Sequence, residues 1–292
     1  MIISKLYGGL GNQMFQYAFA RNLALKYGVE LKFDITALIK ESGNSKYIGG
    51  DIELEALDVN LSKATENEIN LFMRSKFGKL VDLVLLFFHI SGKYSYVKEP
   101  HFHFFKSALS SPVNSYLDGY WQSEKYFKGI RKHLLQEFKP KHTLSFKTIE
   151  LEKEIKNSKS ISIHVRRGDY LSNTDIYCIC DETYYMNSIE FICKKIDNPT
   201  LYIFSDDPNW FKNNIKTDYK TVYVSHNIGR NSYEDIYLMS LCQHQIIANS
   251  SFSWWGAWLN LNPNKIVIAP KCWFKIKSKN TKDLIPEEWI QL

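Results

Sequence analysis

Apolar and polar residues at the start of the chain predict a strand, a helix and a second strand. The strand spans Ile2 to Leu6, the helix Asn12 to Tyr27, and the second strand Leu31 to Phe33. This succession is a βαβ unit. Between the first strand and the helix lies a loop, Gly8 to Gln13, whose glycines let backbone N–H groups approach an anion at the helix start. A tight turn with Asn12 as the helix cap is the alternative.

Between residues 40 and 117 the pattern is less regular. Helices are predicted around Glu66 to Phe77 and Leu80 to His89. The second of these is the most apolar run of the chain, but it contains Asp82 and is too short to span a bilayer. We interpret it as a buried or interfacial helix.

Order returns with Tyr116 to Ser123, which predicts a strand running into a helix from Glu124 to Phe138. A connecting helix follows from Thr148 to Asn157. The second half then begins with Ser160 to Tyr170, SISIHVRRGDY, whose first part is a buried strand. Further strands and helices alternate after it. The predicted strands are Leu201–Phe204, Thr221–Val224, Gln245–Ala248 and Ile266–Ala269, and the helices are 181–195, Pro208–Ile215, Ser232–Gln243 and Phe252–Leu259. This alternation is typical of a doubly wound parallel sheet.

Three polar loops follow predicted strands of this half: Arg166 to Asp169, Ser205 to Asp207, and Asn249 to Ser251. The carboxyl ends of parallel strands share one edge of the sheet, and ligands bind there. Paired guanidiniums grip phosphate, while Ser250, Ser251 and the N–H groups that open the next helix form an anion site. Together the loops predict a pocket for a nucleoside diphosphate.

The charged residues of these loops also have structural interpretations. Arg166 and Arg167 alone would equally be a strand-end pair, one bonded to Asp169 and the other solvated. His164 lies inside a strand, where a nucleotide contact and a satisfied core histidine remain equally open.

The adjacent aspartates Asp206 and Asp207 are expected to accept the N–H donors of guanine. Asp207 precedes Pro208, so it also suits a helix cap, and one aspartate could cap while the other binds. No Asp-x-Asp triplet occurs in the chain. Because the arginines already supply the charge that a divalent cation would offer a departing diphosphate, we expect no metal, with this aspartate pair as the one exception to test.

Composition indicates a globular protein, with 45% hydrophobic and 23% charged residues. A chain of 292 residues is long enough for two domains, which we place at residues 1–145 and 146–292. The 37 basic and 31 acidic residues give a charge of +6, which fits anionic ligands or an anionic membrane surface and is too weak to indicate nucleic acid. Trp254, Trp255 and Trp258 have helical spacing and are predicted to pack in the core.

The five cysteines are odd in number and form no C-x-x-C motif, so the sequence suggests neither a disulfide framework nor a zinc site. A reducing cytosol fits. No signal peptide is visible, because the first residues run directly into the glycine loop. We therefore expect a cytoplasmic protein and leave peripheral attachment to the inner face of the cytoplasmic membrane open. The sequence gives no indication of the oligomeric state.

The glycine loop also partly matches a dinucleotide fingerprint. When G-x-G-x-x-G is aligned from Gly9, the third glycine position is Met14, although Asp34 lies where the ribose-binding acid would be expected. An NAD-dependent oxidoreductase is therefore a minor alternative.

Five segments together resemble glycosyltransferase family 11, the α-1,2-fucosyltransferases, and more distantly the α-1,6- and protein O-fucosyltransferases. They are GGLGNQMFQYAFA, GYWQSEKYF, HVRRGDY, FSDDPNW and NSSFSWWGAWL. They span most of the chain in the family's order, which is far more specific than any one of them. Residues 40–117 match nothing in the resemblance, and acceptor choice is expected there.

The resemblance implies an α/β, GT-B-type fold with two Rossmann-like domains facing a cleft, GDP-fucose as donor, no metal or other cofactor, and inversion at the sugar carbon. Arg166 would hold the departing β-phosphate, with Arg167 beside it. Because charge builds on that phosphate as the bond breaks, Arg166 would act mainly in the transition state. The other implied donor-binding positions are Gly11, Asn12, His164, Asp206, Asp207, Ser250, Ser251 and Phe252.

The implied acceptor is a terminal galactoside of a lipid-linked or surface glycan, attacked through its 2-hydroxyl. Four residues of the first domain are expected on the acceptor side, with core packing favoured for the two aromatics: Asp118, Tyr120, Trp121 and Gln122. The general base is not identified, and Asp169, Asp118 and Glu124 are candidates. Two alternatives remain. One is a fucosyltransferase that forms another linkage, such as α-1,6, and the other is a protein that binds a nucleotide sugar or a glycan without turnover.

Overall fold

A computed structural model describes residues 1–42, 51–77 and 94–292 and divides the chain into two compact units. The N-terminal unit comprises residues 1–138 and 282–284, and the C-terminal unit comprises residues 139–281 and 285–292. The helix predicted from Leu80 to His89 lies outside the described residues.

The N-terminal unit is built on a four-stranded sheet in the order β2-β1-β4-β3, and all its strand pairs are parallel. The strands are β1 (Ile2–Lys5), β2 (Leu31–Asp34), β3 (Ser95–Lys98) and β4 (Ser115–Asp118). The helices are α1 (Leu10–Tyr27), α2 (Thr36–Ser42), α3 (Glu66–Phe77) and α4 (Arg131–Glu137). The predicted βαβ unit is confirmed, since β1 and β2 pair in parallel across α1.

Helix α1 begins two residues before the predicted start. Gly9 is its N-cap, and Asn12 lies within the first turn, so the interpretation of Asn12 as the helix cap is wrong. The preceding Gly8 has φ +74°, a left-handed conformation that favours glycine. This turn brings the chain directly from β1 into the helix.

The predicted helix from Glu124 to Phe138 is broken at its start into two 3-10 turns, Glu124–Tyr126 and Lys128–Ile130. The carbonyl of Tyr126 accepts a hydrogen bond from the Asn22 side chain at 2.7 Å instead of an N–H of the next helical turn. Because Tyr126 and Phe127 are both fully buried, packing on α1 overrides the helical preference of this segment.

The C-terminal unit contains a six-stranded sheet in the order β10-β9-β8-β5-β6-β7, and every pairing is parallel. The strands are β5 (Ser160–Val165), β6 (Thr200–Ser205), β7 (Lys220–Val224), β8 (His244–Ile246), β9 (Val267–Ala269) and β10 (Ile290–Gln291). The helices are α5 (Phe146–Lys156), α6 (Gly168–Leu171), α7 (Glu182–Cys193), α8 (Pro208–Asn214), α9 (Tyr233–Leu241) and α10 (Ser251–Leu259). The predicted alternation is confirmed in order and type.

The strand order reverses direction between β5 and β8. From β5 the chain adds β6 and β7 on one side and then returns to add β8 and β9 on the other. Open parallel sheets bind ligands at such a switch point, outside the carboxyl ends of the strands. The loops that follow β5, β6 and β8 all lie at this edge.

Two buried tyrosines of α7 fix the strand ends at this edge. The Tyr185 hydroxyl donates to the carbonyl of His164 at 3.0 Å, and the Tyr184 hydroxyl donates to the carbonyl of Ile247 at 2.6 Å. Within α10, the predicted core position of the tryptophan cluster is confirmed, because Trp254, Trp255 and Trp258 are at most 2% exposed.

The structure pairs Cys178 with Cys272, whose Cα atoms are 5.8 Å apart, so the expectation that the cysteines form no disulfide is wrong. The two residues are 94 positions apart, and no local spacing in the sequence indicates that they meet. The other three cysteines, Cys180, Cys193 and Cys242, are free thiols.

Among the described residues, no helix combines the length and the apolar character that a membrane span requires.

Candidate functional site

Arg166 directly follows β5 and is held between two carboxylates. Its Nη2 atom lies 2.7 Å from Oδ1 of Asp169, and its Nη1 atom lies 3.0 Å from Oδ2 of Asp206. The guanidinium also lies over the ring of Tyr170, 5.6 Å from its centroid. Because the carboxylates come from the loops after β5 and β6, they fix the guanidinium at the carboxyl edge before any ligand binds.

Arg167 is anchored differently. Its guanidinium lies 4.1 Å from the ring centroid of Trp210, and its Nε atom lies 3.7 Å from Oδ2 of Asp207. Its backbone N–H donates to Oδ1 of Asp206 at 2.9 Å. Arg166 does bond to Asp169, as the structural interpretation of the arginines expects, but Arg167 is not simply solvated.

The two aspartates after β6 therefore have protein partners. Asp207 accepts from the backbone N–H of Trp210 at 3.1 Å and caps α8 in front of Pro208, so its predicted capping role is confirmed. Asp206 receives Arg166 on one oxygen and the N–H of Arg167 on the other. A guanine bound by this pair would have to compete with these contacts.

The turn after the arginines is short because Gly168 permits a close approach. A Cβ atom at this position would lie 2.9 Å from Oδ2 of Asp206. The segment Gly168–Leu171 forms one helical turn, α6, which carries Asp169 back toward the guanidinium. Any larger residue here would push Asp206 away from Arg166.

His164 is a satisfied buried histidine. Its Nδ1 atom lies 2.9 Å from the hydroxyl of Ser253, and the side chain is 6% exposed. Burial lowers its pKa to about 4, so the ring is neutral at neutral pH. Phe252 packs beside it with ring centroids 5.7 Å apart. These contacts join β5 to the first turn of α10.

Asn249 ties the third loop to distant segments, a role that sequence analysis missed. Its amide nitrogen donates to the carbonyls of Cys178 and Trp273, at 2.7 and 3.0 Å. The backbone carbonyl of Asn249 accepts a hydrogen bond from the Tyr170 hydroxyl at 3.0 Å. Both donor hydrogens of the amide are used, so the loop in front of α10 is held by the same region that contains the disulfide.

Ser250 and Ser251 lie at the start of α10. Ser250 is the N-cap, and its hydroxyl accepts from the N–H of Phe252 at 3.3 Å. Ser251 is the first helical residue. The nine-residue helix directs its N-terminal dipole toward the carboxyl edge, beside the end of β5, which is the arrangement that favours a phosphate.

The polar loop of the N-terminal unit is rigidly organised. Oδ1 of Asn12 accepts from Nε2 of Gln122 at 2.7 Å, and Gly11 is buried within α1. Gln13, which is fully buried, donates to the carbonyls of Gly8 and Asp51 at 2.8 and 3.0 Å. Asn12 and Gln122, two predicted site residues, thus lie together.

Asp118 ends β4 at the carboxyl edge of this sheet. It accepts from the Tyr96 hydroxyl, and its Oδ1 atom lies 3.5 Å from Nζ of Lys5. The ring of Tyr120 contacts Tyr7 edge-on, with centroids 4.7 Å apart. Trp121 does not contribute to such a site, because its indole is fully buried and its φ is +57°. This is the core position that sequence analysis favoured for it.

Glu99 organises that turn, and no sequence motif marks it. Its two carboxylate oxygens accept from the backbone N–H groups of Tyr120 and Trp121, at 2.8 and 3.0 Å. Burial raises the pKa of Glu99 to about 7. Its sequence neighbours, Lys98 and Pro100, give no indication of this role.

A second polar cluster lies beside α9 of the C-terminal unit. Glu234 accepts from the hydroxyl and N–H of Ser145 at 2.7 and 3.2 Å, and Asp235 accepts from the Asn227 amide at 2.8 Å. Burial raises the pKa of Asp235 to about 7. Asn227 follows β7, so this cluster lies at the same edge as Arg166. Within the described ranges, no three His, Cys, Asp or Glu side chains are grouped so that they could hold a metal ion.

The model of glycosyl transferase family 11 matches residues 1–292. An α-1,2-colitosyltransferase of Escherichia coli is 32% identical to the chain, with 100% of this chain and 99% of the relative covered. The O-antigen biosynthesis glycosyltransferase WbnK of Escherichia coli is 30% identical, with 99% of each covered. The galactoside 2-α-L-fucosyltransferase SEC1 of Bos taurus is 26% identical over 49% of this chain and 41% of its own length.

Solved structures agree on the fold. NodZ α-1,6-fucosyltransferase soaked with GDP-fucose covers 88% of this chain and 91% of its own, with 12% identity and a TM-score of 0.51. A variant of Arabidopsis thaliana FUT1 in complex with GDP covers 91% of this chain and 69% of its own, with 12% identity and a TM-score of 0.50. The two parallel α/β units are those of a GT-B-type fold, so the predicted fold class is confirmed.

Replacing Gly168 with alanine should displace Asp206 and release Arg166 from one of its two carboxylates. We expect transferase activity to fall by about tenfold or more, with a loss of stability of roughly 1 to 3 kcal/mol. The matched control is Gly129→Ala, because a Cβ there meets nothing within 4 Å. Equal effects of the two substitutions would contradict the role assigned to Gly168.

Replacing Glu99 with glutamine should change how stability depends on pH. The free carboxyl titrates near 4.5 and the folded one near 7, so the unfolded state loses its proton first. The contribution of Glu99 to the free energy of unfolding is therefore complete below the pKa of the unfolded state and is lost as the pH rises through 7.

The free energy of unfolding of Glu99→Gln, relative to that of wild type, should rise by up to roughly 3 kcal/mol between about pH 4 and about pH 8. At every pH the variant also lacks one hydrogen bond of the wild type, which lowers its stability by a constant amount. Urea unfolding at several pH values measures this difference. The same substitution at exposed Glu150 controls for loss of a surface charge. A difference that does not vary with pH would show that Glu99 is not titrating in this range.

Proposed function

The chain belongs to glycosyltransferase family 11, and from this we propose that it transfers L-fucose from GDP-fucose to the 2-hydroxyl of a terminal galactoside, with inversion and without a metal. The observation that carries the proposal is the clamped guanidinium of Arg166 at the switch point of the C-terminal sheet. The two E. coli relatives with full coverage are named as an α-1,2-colitosyltransferase and an O-antigen glycosyltransferase. The acceptor is therefore proposed to belong to a surface glycan.

Arg166 and Arg167 would neutralise the diphosphate as the sugar leaves. In a single displacement, the bond from the anomeric carbon to the β-phosphate oxygen breaks, and that oxygen gains a full negative charge. Asp169 and Asp206 keep the Arg166 fork in place, so little reorganisation is needed when the charge develops. Asp169 is thereby proposed to orient Arg166 rather than to act as the base.

The start of α10 supports the same assignment. Ser250 and Ser251 bring a hydroxyl-lined helix N-terminus to the edge beside β5. A phosphate there would gain from the helix dipole and from backbone N–H donors. Since a guanine would compete with Arg166 at Asp206, the partly buried carboxylate of Asp235 is a further candidate for contacting the guanine. The role of Asn12 and Gly11 toward the donor stays a proposal.

On the acceptor side, polar groups at the edge of the N-terminal sheet support binding of sugar hydroxyls. Asp118, Tyr96 and Lys5 form a connected set of acceptors and donors, and Tyr7 and Tyr120 add aromatic faces. Asp118 is the proposed partner of the acceptor hydroxyl. Gln122 instead supports the loop through its bond to Asn12.

A second candidate donor is GDP-colitose, because an α-1,2-colitosyltransferase is 32% identical over the whole chain. Colitose is fucose without the ring hydroxyl on carbon 3. A site that binds this hydroxyl of fucose discriminates strongly against colitose, which lacks it. A site shaped for colitose discriminates only weakly against fucose.

Arg166→Ala should lower kcat with GDP-fucose and a soluble galactoside by about a hundredfold or more. GDP affinity, measured by calorimetry, should fall less than kcat, since the contact strengthens in the transition state. Arg166→Lys should recover only part of the activity, because a lysine cannot engage both carboxylates. Arg230→Ala is the control, and a loss of less than about tenfold at Arg166 would refute the assignment.

Competition between the two donors tests the sugar. If the chain is a fucosyltransferase, kcat/KM for GDP-fucose should exceed that for GDP-colitose by a factor of about ten thousand. A ratio within about a hundredfold of unity would instead indicate a site made for colitose. NMR of the product made with lactose reports the linkage and the anomeric configuration, and retained activity in the presence of a chelator tests the proposed independence of metal.

A further inference from the structure

Two protruding apolar side chains belong to segments that meet on the C-terminal unit. Ile228 is 79% exposed and Phe146 is 76% exposed, the two highest values among the large hydrophobic residues of the described ranges. The segments that carry them meet, because the Thr148 hydroxyl donates to Oδ1 of Asn227 at 3.3 Å. Two segments in contact thus each expose one large apolar side chain.

Exposed basic residues lie close to both apolar side chains in sequence, while the glutamates of α5 begin one turn later, at Glu150. The segment that leads into α5 carries Lys139, Lys141 and Lys147, all exposed, and Arg230 is exposed beside Ile228. Neither residues 139–148 nor residues 225–231 contain an acidic side chain. We call these apolar and basic residues the α5 surface.

The position of the α5 surface follows from the topology of its unit. Helix α5 leads into the amino end of β5, so its own N-terminus points to the carboxyl edge of the sheet. Ile228 follows the carboxyl end of β7. The α5 surface therefore belongs to the same edge as Arg166, within the same unit.

We propose that the α5 surface binds an anionic lipid bilayer, with Phe146 and Ile228 inserted at the level of the headgroups and the basic side chains on anionic phosphates. A few protruding apolar residues surrounded by lysine and arginine suit interfacial insertion, because a bilayer offers both apolar depth and negative charge. A second copy of the chain fits less well, since a symmetric contact would place the basic residues against themselves.

This inference goes beyond the proposed transfer reaction, and its test needs no turnover. Vesicles of phosphatidylcholine, with and without phosphatidylglycerol, are sedimented with the protein at low and physiological salt. Wild type should bind the anionic vesicles, and salt should weaken the binding. Phe146→Ser with Ile228→Ser should reduce the bound fraction at least about tenfold, because the inserted apolar area is lost.

Lys141→Glu with Lys147→Glu should also reduce binding by about tenfold or more, since each basic residue near an anionic surface contributes. Leu261→Ser is the matched control: Leu261 is 71% exposed and follows α10 at the opposite edge of the sheet. Activity on a soluble galactoside shows that each variant is folded, and the membrane substitutions should leave that activity unchanged.

Three results would overturn the proposal. The first is no binding of wild type to anionic vesicles, or equal binding to both kinds. The second is binding that survives both double substitutions. The third is concentration-dependent self-association in sedimentation that disappears with Phe146→Ser and Ile228→Ser, which would assign the surface to a second copy of the chain.

Discussion

The ion pairs of Arg166 with Asp169 and Asp206 set the geometry of the whole carboxyl edge of the C-terminal sheet. The Arg166 guanidinium is partly buried, with 26% of the side chain exposed, and its two carboxylate partners come from the loops after two different strands. Gly168 leaves room for Asp206 to approach Arg166. Asp206 also accepts a hydrogen bond from the backbone N–H of Arg167, so it fixes both arginines. The positive charges are therefore fixed before a ligand arrives, which is what electrostatic stabilisation of a leaving diphosphate requires.

Strands and helices of the C-terminal unit could be predicted from the sequence because local pattern and tertiary role agree there. Strand β5 alternates apolar with small polar residues and is buried throughout, and β6 is buried along all but its last residue, as parallel strands covered on both faces are. Asp181 and Asp207 cap helices as their sequence neighbours indicate. Local signals fail where packing dominates, as in the segment after Ser123, where buried aromatics break a helix into shorter turns.

The position of the arginine and serine loops could also be predicted, since loops that follow parallel strands share one edge of the sheet. Glu99, Asp235 and Asn249 could not be predicted in the same way. Glu99 and Asn249 bond to partners at least 21 positions away in the chain, and Asp235 is distinguished by the burial that raises its pKa; neither property leaves a local pattern. The same holds for the pairing of Cys178 with Cys272, which depends entirely on how two distant loops meet.

The amide of Asn249 has a chemical consequence for how the protein ages. Both of its hydrogens point at carbonyl oxygens, those of Cys178 and Trp273. Deamidation would turn this donor into a carboxylate facing two other acceptors, and the buried charge would have no partner. The Asn-Ser sequence is prone to this reaction in flexible chains, but here the residue is fully buried and its loop is clamped. Long-term storage should therefore damage exposed asparagines well before it reaches the loop in front of α10.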